Sequence, residues 1–139
     1  MKKITTLLTL MLVCLSCQNQ VEQVAGTYSY KISGRASVLG VEQSLSDEMG
    51  AMEILPQNSE SAMLTFNAMG GPAYYTTATI TGKQIEINSF ERYVSQAGVN
   101  YKVKVTGSGT VYDKSILINL RYNGSTLKAD SLVLLCKKN

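Results

Sequence analysis

Few residues of this chain have the types and spacing that catalytic chemistry requires. The 139-residue sequence contains no histidine, which removes Ser-His-Asp and Cys-His nucleophile systems and the commonest zinc ligand. It also contains no Gly-x-Ser-x-Gly segment that could form the nucleophile elbow of a hydrolase. We therefore expect a protein that is not an enzyme and that carries no cofactor and no metal.

Acidic side chains are the remaining candidates for catalytic residues, because a glycosidase needs only two carboxylates. Asp47 and Glu48 are adjacent in a segment without a clear pattern, and Glu86 and Glu91 lie near the end of one predicted strand. Asp47, Glu48 and Glu53 lack the spacing of a calcium-binding loop. We interpret these carboxylates as solvated surface charges, since each lies in a polar stretch or alternates outward.

The N-terminal segment has the pattern of a cleaved secretory signal. Lys2 and Lys3 precede an apolar stretch of 12 residues, Ile4 to Leu15, which is shorter than the roughly 20 residues that a membrane-spanning helix needs. The sequence therefore predicts a signal over residues 1–16. The pair Ser16-Cys17 resembles the lipobox of bacterial lipoproteins, in which a small residue precedes the cysteine that receives the lipid. An ordinary signal cleaved near residue 17 is the alternative.

The resemblance to a lipobox implies a location and a domain division. Residues 17–24 are the lipidated cysteine and its tether: Cys17 becomes the lipid-bearing first residue, and the seven residues Gln18 to Val24 reach at most about 23 Å at about 3.3 Å per residue. Residues 25–139 form one domain. We expect the protein in the cell envelope, anchored by its lipid to the outer membrane and facing the periplasm, with exposure on the cell surface as the alternative.

The rest of the composition argues against nucleic-acid binding and against a disulfide bond. Lys2 and Lys3 leave with the signal, so the remaining chain is close to neutral, which gives no basis for nucleic-acid binding. Cys14 also leaves and Cys17 is acylated, so Cys136 has no disulfide partner. It follows the apolar run Leu132–Leu135, and we expect a buried structural thiol.

Apolar and polar residues alternate with a period of two along most of the chain, as in half-buried β-strands. Turn-forming pairs such as Asn123-Gly124 separate the alternating segments. Residues 35–48 and 91–97 have no legible pattern. The predicted strands lie at about 25–34, 49–56, 61–67, 73–81, 83–90, 98–111, 115–122 and 129–137.

Short strands joined by short connections predict an all-β fold. We expect an eight-stranded antiparallel up-and-down barrel, which leaves no sheet edge unpaired. An immunoglobulin-like β-sandwich is the alternative, but it needs at least one long crossing connection. Gly107 and Gly109 lack the third glycine of a dinucleotide-binding loop, and we interpret them as positions where a long strand bends.

Several segments resemble known families. Gly26-Thr27-Tyr28 is similar to the Gly-x-aromatic opening of lipocalin-type or calycin-type barrels, and Gly107–Val111 followed by Ile116-Leu117-Ile118 resembles small Bacteroides-type lipoproteins with such domains. This resemblance implies a cell-envelope barrel. Ser108–Tyr112 also matches the Ser-Gly-x-x-Tyr pattern of membrane-bound lysozyme-inhibitor lipoproteins.

A barrel of eight strands is either filled by its own side chains or holds one small ligand. Aromatic residues that we expect to face inward are the candidate ligand-binding residues: Tyr28, Tyr30, Phe66, Tyr74 and Tyr101. The full predicted inward set also includes Ile32, Met52, Ile54, Leu64, Ile80, Ile85, Ile87, Val103, Val105, Ile118 and Leu120.

The predicted function is that of a non-enzymatic envelope lipoprotein whose barrel binds a small apolar or amphipathic ligand. The alternative is a protein-interaction or inhibitor module that uses the barrel as a scaffold. That alternative predicts an exposed apolar or aromatic patch, with Tyr75 or Phe90 as candidates.

Overall fold

The computed structural model describes residues 19–45 and 47–139. The predicted signal over residues 1–16 and the predicted acylation site Cys17 lie outside these residues. No helix in the described part of the chain is long and apolar enough to cross a membrane.

Within these ranges, one short helix precedes nine strands. The helix α1 spans Gln20–Val24. The strands are β1 (Gly26–Val38), β2 (Val41–Ser44), β3 (Glu48–Pro56), β4 (Ser61–Ala68), β5 (Ala73–Thr81), β6 (Gln84–Gln96), β7 (Val99–Val111), β8 (Ser115–Asn123) and β9 (Leu127–Lys138).

Antiparallel pairing closes eight of the strands into a barrel. From β3 to β9 each strand pairs with the next, and β1 pairs with both β3 and β9. The ninth strand, β2, is an addition that pairs with β1. The predicted all-β up-and-down barrel is therefore confirmed, and the alternative sandwich is wrong.

Residues 35–48, which have no legible pattern in the sequence, contain a hairpin. The first strand continues to Val38, turns at Leu39 and Gly40, and returns as β2. Both turn residues have positive φ, 52° and 83°, as the two central residues of a type I′ turn require. Leucine is an unusual residue in that conformation, which explains why the sequence did not signal the turn.

Helix α1 closes one end of the barrel, which we call the helix end. Val21 and Val24 are buried in the core, and the Tyr28 hydroxyl donates to the Val24 carbonyl oxygen at 2.8 Å. The Gln20 side-chain oxygen accepts a hydrogen bond from the Gly82 backbone N–H at 2.6 Å. Residues 20–24 are therefore packed against the domain, which corrects the prediction that they belong to an extended tether.

The predicted inward residues contribute about half of the buried apolar core, and buried residues of β8 and β9 such as Ile116, Leu132 and Leu134 were not among them. All of the predicted residues are buried except Tyr74 and Tyr101, which are partly buried and packed against the core. Cys136 is also buried, with its sulfur 4.0 Å from that of Met52. Burial raises the pKa of the Cys136 thiol to about 12, and the predicted buried structural thiol is confirmed.

The two glycines of β7 allow a close approach to β8. A Cβ atom at Gly107 would lie 2.6 Å from the Leu120 Cδ2 atom, and one at Gly109 would overlap the Leu117 carbonyl oxygen. These glycines are therefore required by the packing of two adjacent strands.

Candidate functional site

A bulge in β6 changes which of its residues face the interior. Ile87 pairs with Gly107, but Phe90 pairs with Val105, so β6 contains one extra residue between the two positions. Side chains alternate with a period of two, and an extra residue therefore reverses the alternation. Beyond the bulge, Phe90 and Arg92 point inward near the end of the barrel opposite α1, which we call the open end.

Backbone pairing between β5 and β6 stops before the open end. The ladder joins Ala78–Thr81 to Gln84–Ile87. Beyond it, side chains bridge the strands: the Asn88 Nδ2 donates to Thr77 Oγ1 at 2.6 Å, and the Thr76 hydroxyl donates to the Asn88 carbonyl oxygen at 3.0 Å. We call this stretch, between residues 73–77 and 88–92, the seam.

An ion pair lies at the open end of the seam. Arg92 Nη1 donates to Glu48 Oε1 at 3.0 Å, and Nη2 donates to Oε2 of the same carboxylate. The Arg92 and Glu48 side chains are 8% and 23% exposed. The hydroxyls of Tyr30 and Tyr74 donate to Glu48 Oε1 at 3.0 and 2.8 Å. The prediction that Glu48 is a solvated surface charge is therefore wrong.

Aromatic rings continue this network into the core. The Tyr74 ring stacks on Phe66 and Phe90, with centroid distances of 5.0 and 5.7 Å. The Arg92 guanidinium lies 4.0 Å from the Tyr74 ring centroid, and its Nη1 donates to the Tyr74 hydroxyl at 2.6 Å. Tyr30 meets the edge of this stack, 5.5 Å from Phe66. These contacts hold Arg92 and Tyr74 in fixed positions across the seam.

The environment fixes the protonation state of each group in the network. Burial alone would raise the pKa of Glu48, but the hydrogen bond and charge of Arg92 outweigh it, so the pKa lies below its ordinary value. Burial raises the pKa of Tyr74 well above its usual range. The Arg92 pKa is raised, because the hydrogen bond to Glu48 outweighs burial. At neutral pH the site therefore contains a carboxylate, a guanidinium and neutral tyrosines.

A cavity of about 880 Å³ opens beside this network. Small-molecule sites in proteins commonly have volumes of about 300–1,000 Å³. The cavity is bounded by the start of β3, the β4–β5 loop and the hairpin of β6 and β7. Its lining residues are 47–49, 68–74, 91–93, Ser95 and Asn100.

The charges that line the cavity are compensated. Each lining carboxylate has a cationic partner: Asp47 pairs with Lys31 at 2.6 Å, Glu91 with Lys102 at 2.8 Å, and Glu48 with Arg92. No group of three or more His, Cys, Asp or Glu side chains in the described ranges is arranged to hold a metal ion. The cavity thus combines an apolar wall with a polar floor and has little net charge.

The predicted ligand-binding residues occupy different parts of the barrel. Tyr74 lines the cavity, and Tyr30 and Phe66 pack behind it. Tyr28 lies at the helix end against α1, and Tyr101 packs partly buried against the core, outside the cavity lining. The structure thus places three of the five side chains at one site.

The residues predicted to form a surface patch or an inhibitor-like motif lie in different parts of the molecule. Tyr75 is 62% exposed on the outer face of β5, whereas Phe90 packs against Tyr74 and is not part of an exposed patch. Of the Ser-Gly-x-x-Tyr segment, Ser108–Val111 lie in β7, and Tyr112 is exposed at the turn that leads to β8, at the helix end.

Arg92 is one of the site residues that the sequence did not reveal. Arg92 shares the inward face of β6 with Phe90, Val94 and Gln96. The sequence shows it only as one cation among these residues, and the bulge reverses the alternation that would have placed it on that face.

No protein-family model matches this chain, and no curated protein matches it in sequence. The fold is similar to that of solved structures. EF1p2_mFAP2b, solved bound to DFHBI, is 12% identical with a TM-score of 0.58 over 87% of this chain and 98% of that chain. The redesigned β-barrel mFAP1, also bound to DFHBI, is 12% identical with a TM-score of 0.56 over 87% of this chain and 100% of that chain.

A further redesigned β-barrel, b11L5F_LGL, is 12% identical with a TM-score of 0.51 over 89% of this chain and 98% of that chain. At this level of identity the likeness shows a shared fold. Together with the strand pairing, it places the chain in the class of closed eight-stranded up-and-down β-barrels, here with the additional strand β2.

Proposed function

We propose that the protein is a non-enzymatic, lipid-anchored barrel of the cell envelope that binds one small amphipathic molecule in the open-end cavity. The observation that carries this proposal is the cavity of about 880 Å³ beside the Glu48–Arg92–Tyr74 network. Because large side chains such as Phe66 and Met52 occupy the interior, the ligand lies at the mouth of the barrel and not in its middle.

The walls of the cavity suit an amphipathic ligand. Met49, Met69, Pro72 and the ring of Tyr93 provide apolar surface around the opening, and methionine side chains adapt to ligands of different shape. The polar floor positions a hydrogen-bonding group of the ligand. Since the floor is already an internally paired network, we expect a ligand whose polar group is uncharged.

The network supports binding more than catalysis. A general acid or base works best when its pKa lies near the operating pH. The pKa of Glu48 is lowered and that of Tyr74 is raised, so both groups are moved away from neutrality. They hold the seam together and present fixed dipoles to the cavity.

The solved neighbours give indirect support. Two of them, mFAP1 and EF1p2_mFAP2b, were solved with DFHBI bound, so barrels with this strand arrangement can accommodate a small molecule.

We propose the envelope location from the Ser16-Cys17 pair, with an outer-membrane anchor and the domain in the periplasm; exposure on the cell surface is the alternative. A Cys17→Ala variant is expected to lose membrane fractionation and the mass of the attached lipid. A variant that still fractionates with membranes would refute the acylation.

Binding can be tested with the uncharged fluorescent probe N-phenyl-1-naphthylamine. We expect saturable fluorescence enhancement with wild-type protein and at least a tenfold weaker affinity with Ala68→Trp, which places a bulky ring in the cavity. Ala51→Trp on the neighbouring strand is the matched control, since Ala51 does not line the cavity. Equal affinity of the wild type and of the Ala68→Trp variant, with both folded by circular dichroism, would refute the site.

One observation favours an interaction module as a second candidate. Apolar side chains surround the open end, and we call them the rim: Leu39, Val41, Met49, Met69, Tyr93 and Val99, which are 50–78% exposed. A photo-crosslinking amino acid at Leu39 would capture a discrete protein partner if the rim is a docking surface, whereas one at Glu86 on the outer wall would not. Absence of a discrete product at Leu39 would leave ligand binding as the function.

A further inference from the structure

The two ends of the barrel differ in their relation to Cys17. The helix end is where the chain enters the domain, and the cavity opens at the other end. We propose that the helix end rests on a lipid surface and that the cavity faces away from that membrane. This inference rests on the proposed acylation of Cys17.

Helix α1 is firmly attached to the helix end. Gln20 binds the Gly82 backbone at 2.6 Å, and Lys138 Nζ donates to the Gln23 carbonyl oxygen at 3.3 Å. Val21 is fully buried, and Asn19 caps the helix by accepting from the Val21 N–H at 3.2 Å. Releasing α1 would expose the apolar side chains of Val21 and Val24, so these residues do not lengthen the tether.

The remaining tether is short. From Cys17 to Gln20 the chain advances three residues, which span at most about 10 Å. The lipid is therefore held within about 10 Å of the helix end, less than half of the reach expected for a tether that extended to Val24.

The distance between the two ends decides the orientation. The 13 residues of β1 span 12 rises of about 3.3 Å, which is about 40 Å from the first Cα to the last. With a strand tilt of about 40° this corresponds to about 30 Å along the barrel axis. A tether of about 10 Å does not allow the barrel to invert onto its open end unless α1 detaches, because the helix end would then lie about 30 Å from the membrane.

Charge at the helix end is mixed. The exposed ionisable side chains there are Glu22, Glu53, Glu60, Lys83, Asp113, Lys114, Lys137 and Lys138. With four cations and four anions, attraction to anionic lipid is weak, so the short tether sets the orientation. We therefore expect the same orientation on zwitterionic phosphatidylcholine.

The orientation has a consequence for ligand exchange. The cavity and its rim face the aqueous compartment, about 30 Å from the anchoring membrane by the strand geometry above. The cavity therefore takes up its ligand from that compartment, or from a protein or membrane that approaches through it. It does not exchange the ligand directly with the bilayer that holds the lipid anchor.

The test uses acylated protein on phosphatidylcholine vesicles that contain a rhodamine-labelled lipid as the energy-transfer acceptor. Donor dyes are attached at Lys83→Cys and Lys114→Cys at the helix end, and at Leu39→Cys and Val99→Cys on the rim. The buried thiol of Cys136, whose pKa is raised, is protected from labelling. We expect at least twofold higher transfer efficiency from the helix-end positions.

Equal or reversed efficiencies on vesicles that carry the protein would overturn the orientation alone. Vesicle flotation reports the anchor separately, and protein that fails to float would overturn the acylation and this inference with it. Ligand binding is measured without vesicles and is independent of both results. Insertion of ten Gly and Ser residues between Gln18 and Asn19 is expected to abolish the difference between the two ends. A difference that survives this insertion would refute the role of the short tether.

Discussion

Arg92 and Glu48 are 44 residues apart in the sequence and form a two-pronged ion pair at the open end of the barrel. Arg92 projects from β6 across the seam, where backbone pairing with β5 has ended. Side-chain contacts therefore close the barrel where the ladder does not. This closure lies beside the cavity, so the stability of the site and the stability of the seam are connected.

Glu48→Gln is expected to lower the free energy of unfolding by about 2–3 kcal/mol, because removing one partner leaves the buried Arg92 without its counter-charge. Urea denaturation at pH 7 measures the effect. Glu86→Gln, an exposed change on the outer wall, is the control and is expected to stay within about 0.5 kcal/mol of wild type. An equally small effect of Glu48→Gln would contradict the structural role of the pair.

The contribution of Glu48 depends on pH with a defined sign. Its pKa is lower in the folded protein than its ordinary value, which is about 4.3 for an unperturbed glutamate. Its contribution to stability is therefore complete above the ordinary pKa and is lost as the pH falls through the folded value. We expect the stability difference between wild type and Glu48→Gln to be smaller at pH 3 than at pH 7. A difference of the same size at both pH values would contradict this assignment.

Hydrogen exchange is expected to be faster along the seam than in the neighbouring ladders. Amides of residues 73–77 and 88–89 that face the seam have no backbone partner on the opposite strand, whereas β7 and β8 are paired continuously from Lys104 to Val111. Local opening exposes such amides at low free-energy cost. Protection of the seam equal to that of the β7–β8 ladder would show that the barrel is closed there by more than side chains.

Val21→Ala tests whether α1 is part of the folded domain. Val21 is fully buried, and truncating its side chain is expected to lower the free energy of unfolding by about 1–3 kcal/mol. Gln23→Ala on the exposed face of the same helix is the matched control. If thermal and urea unfolding of Val21→Ala match those of wild type, α1 does not contribute to the fold.

The regular part of the barrel was predictable because its side chains alternate. Tyr28, Tyr30 and Ile32 face inward in one strand, and Ile116 and Ile118 do so in another. In each of these strands the alternate apolar residues indicate directly which face is buried. The hairpin connections then favoured a barrel over a sandwich.

The site was not predictable because it lies where alternation fails. The bulge after Ile87 reverses the inward row, so Arg92 reads as an outward cation. Glu48 is the first residue of β3, which follows the short strand β2, and its partner is far away in the sequence. Ion pairs of this kind depend on tertiary register, which the local pattern does not contain.

The most direct measurement is a ¹H–¹⁵N correlation spectrum of the protein titrated with N-phenyl-1-naphthylamine. We expect the largest chemical-shift changes at residues 69–74 and 91–95 around the open end, with little change at Val21 and Gly82 at the helix end. Saturating shifts centred on the helix end, or none at concentrations that saturate the fluorescence, would contradict binding in the open-end cavity.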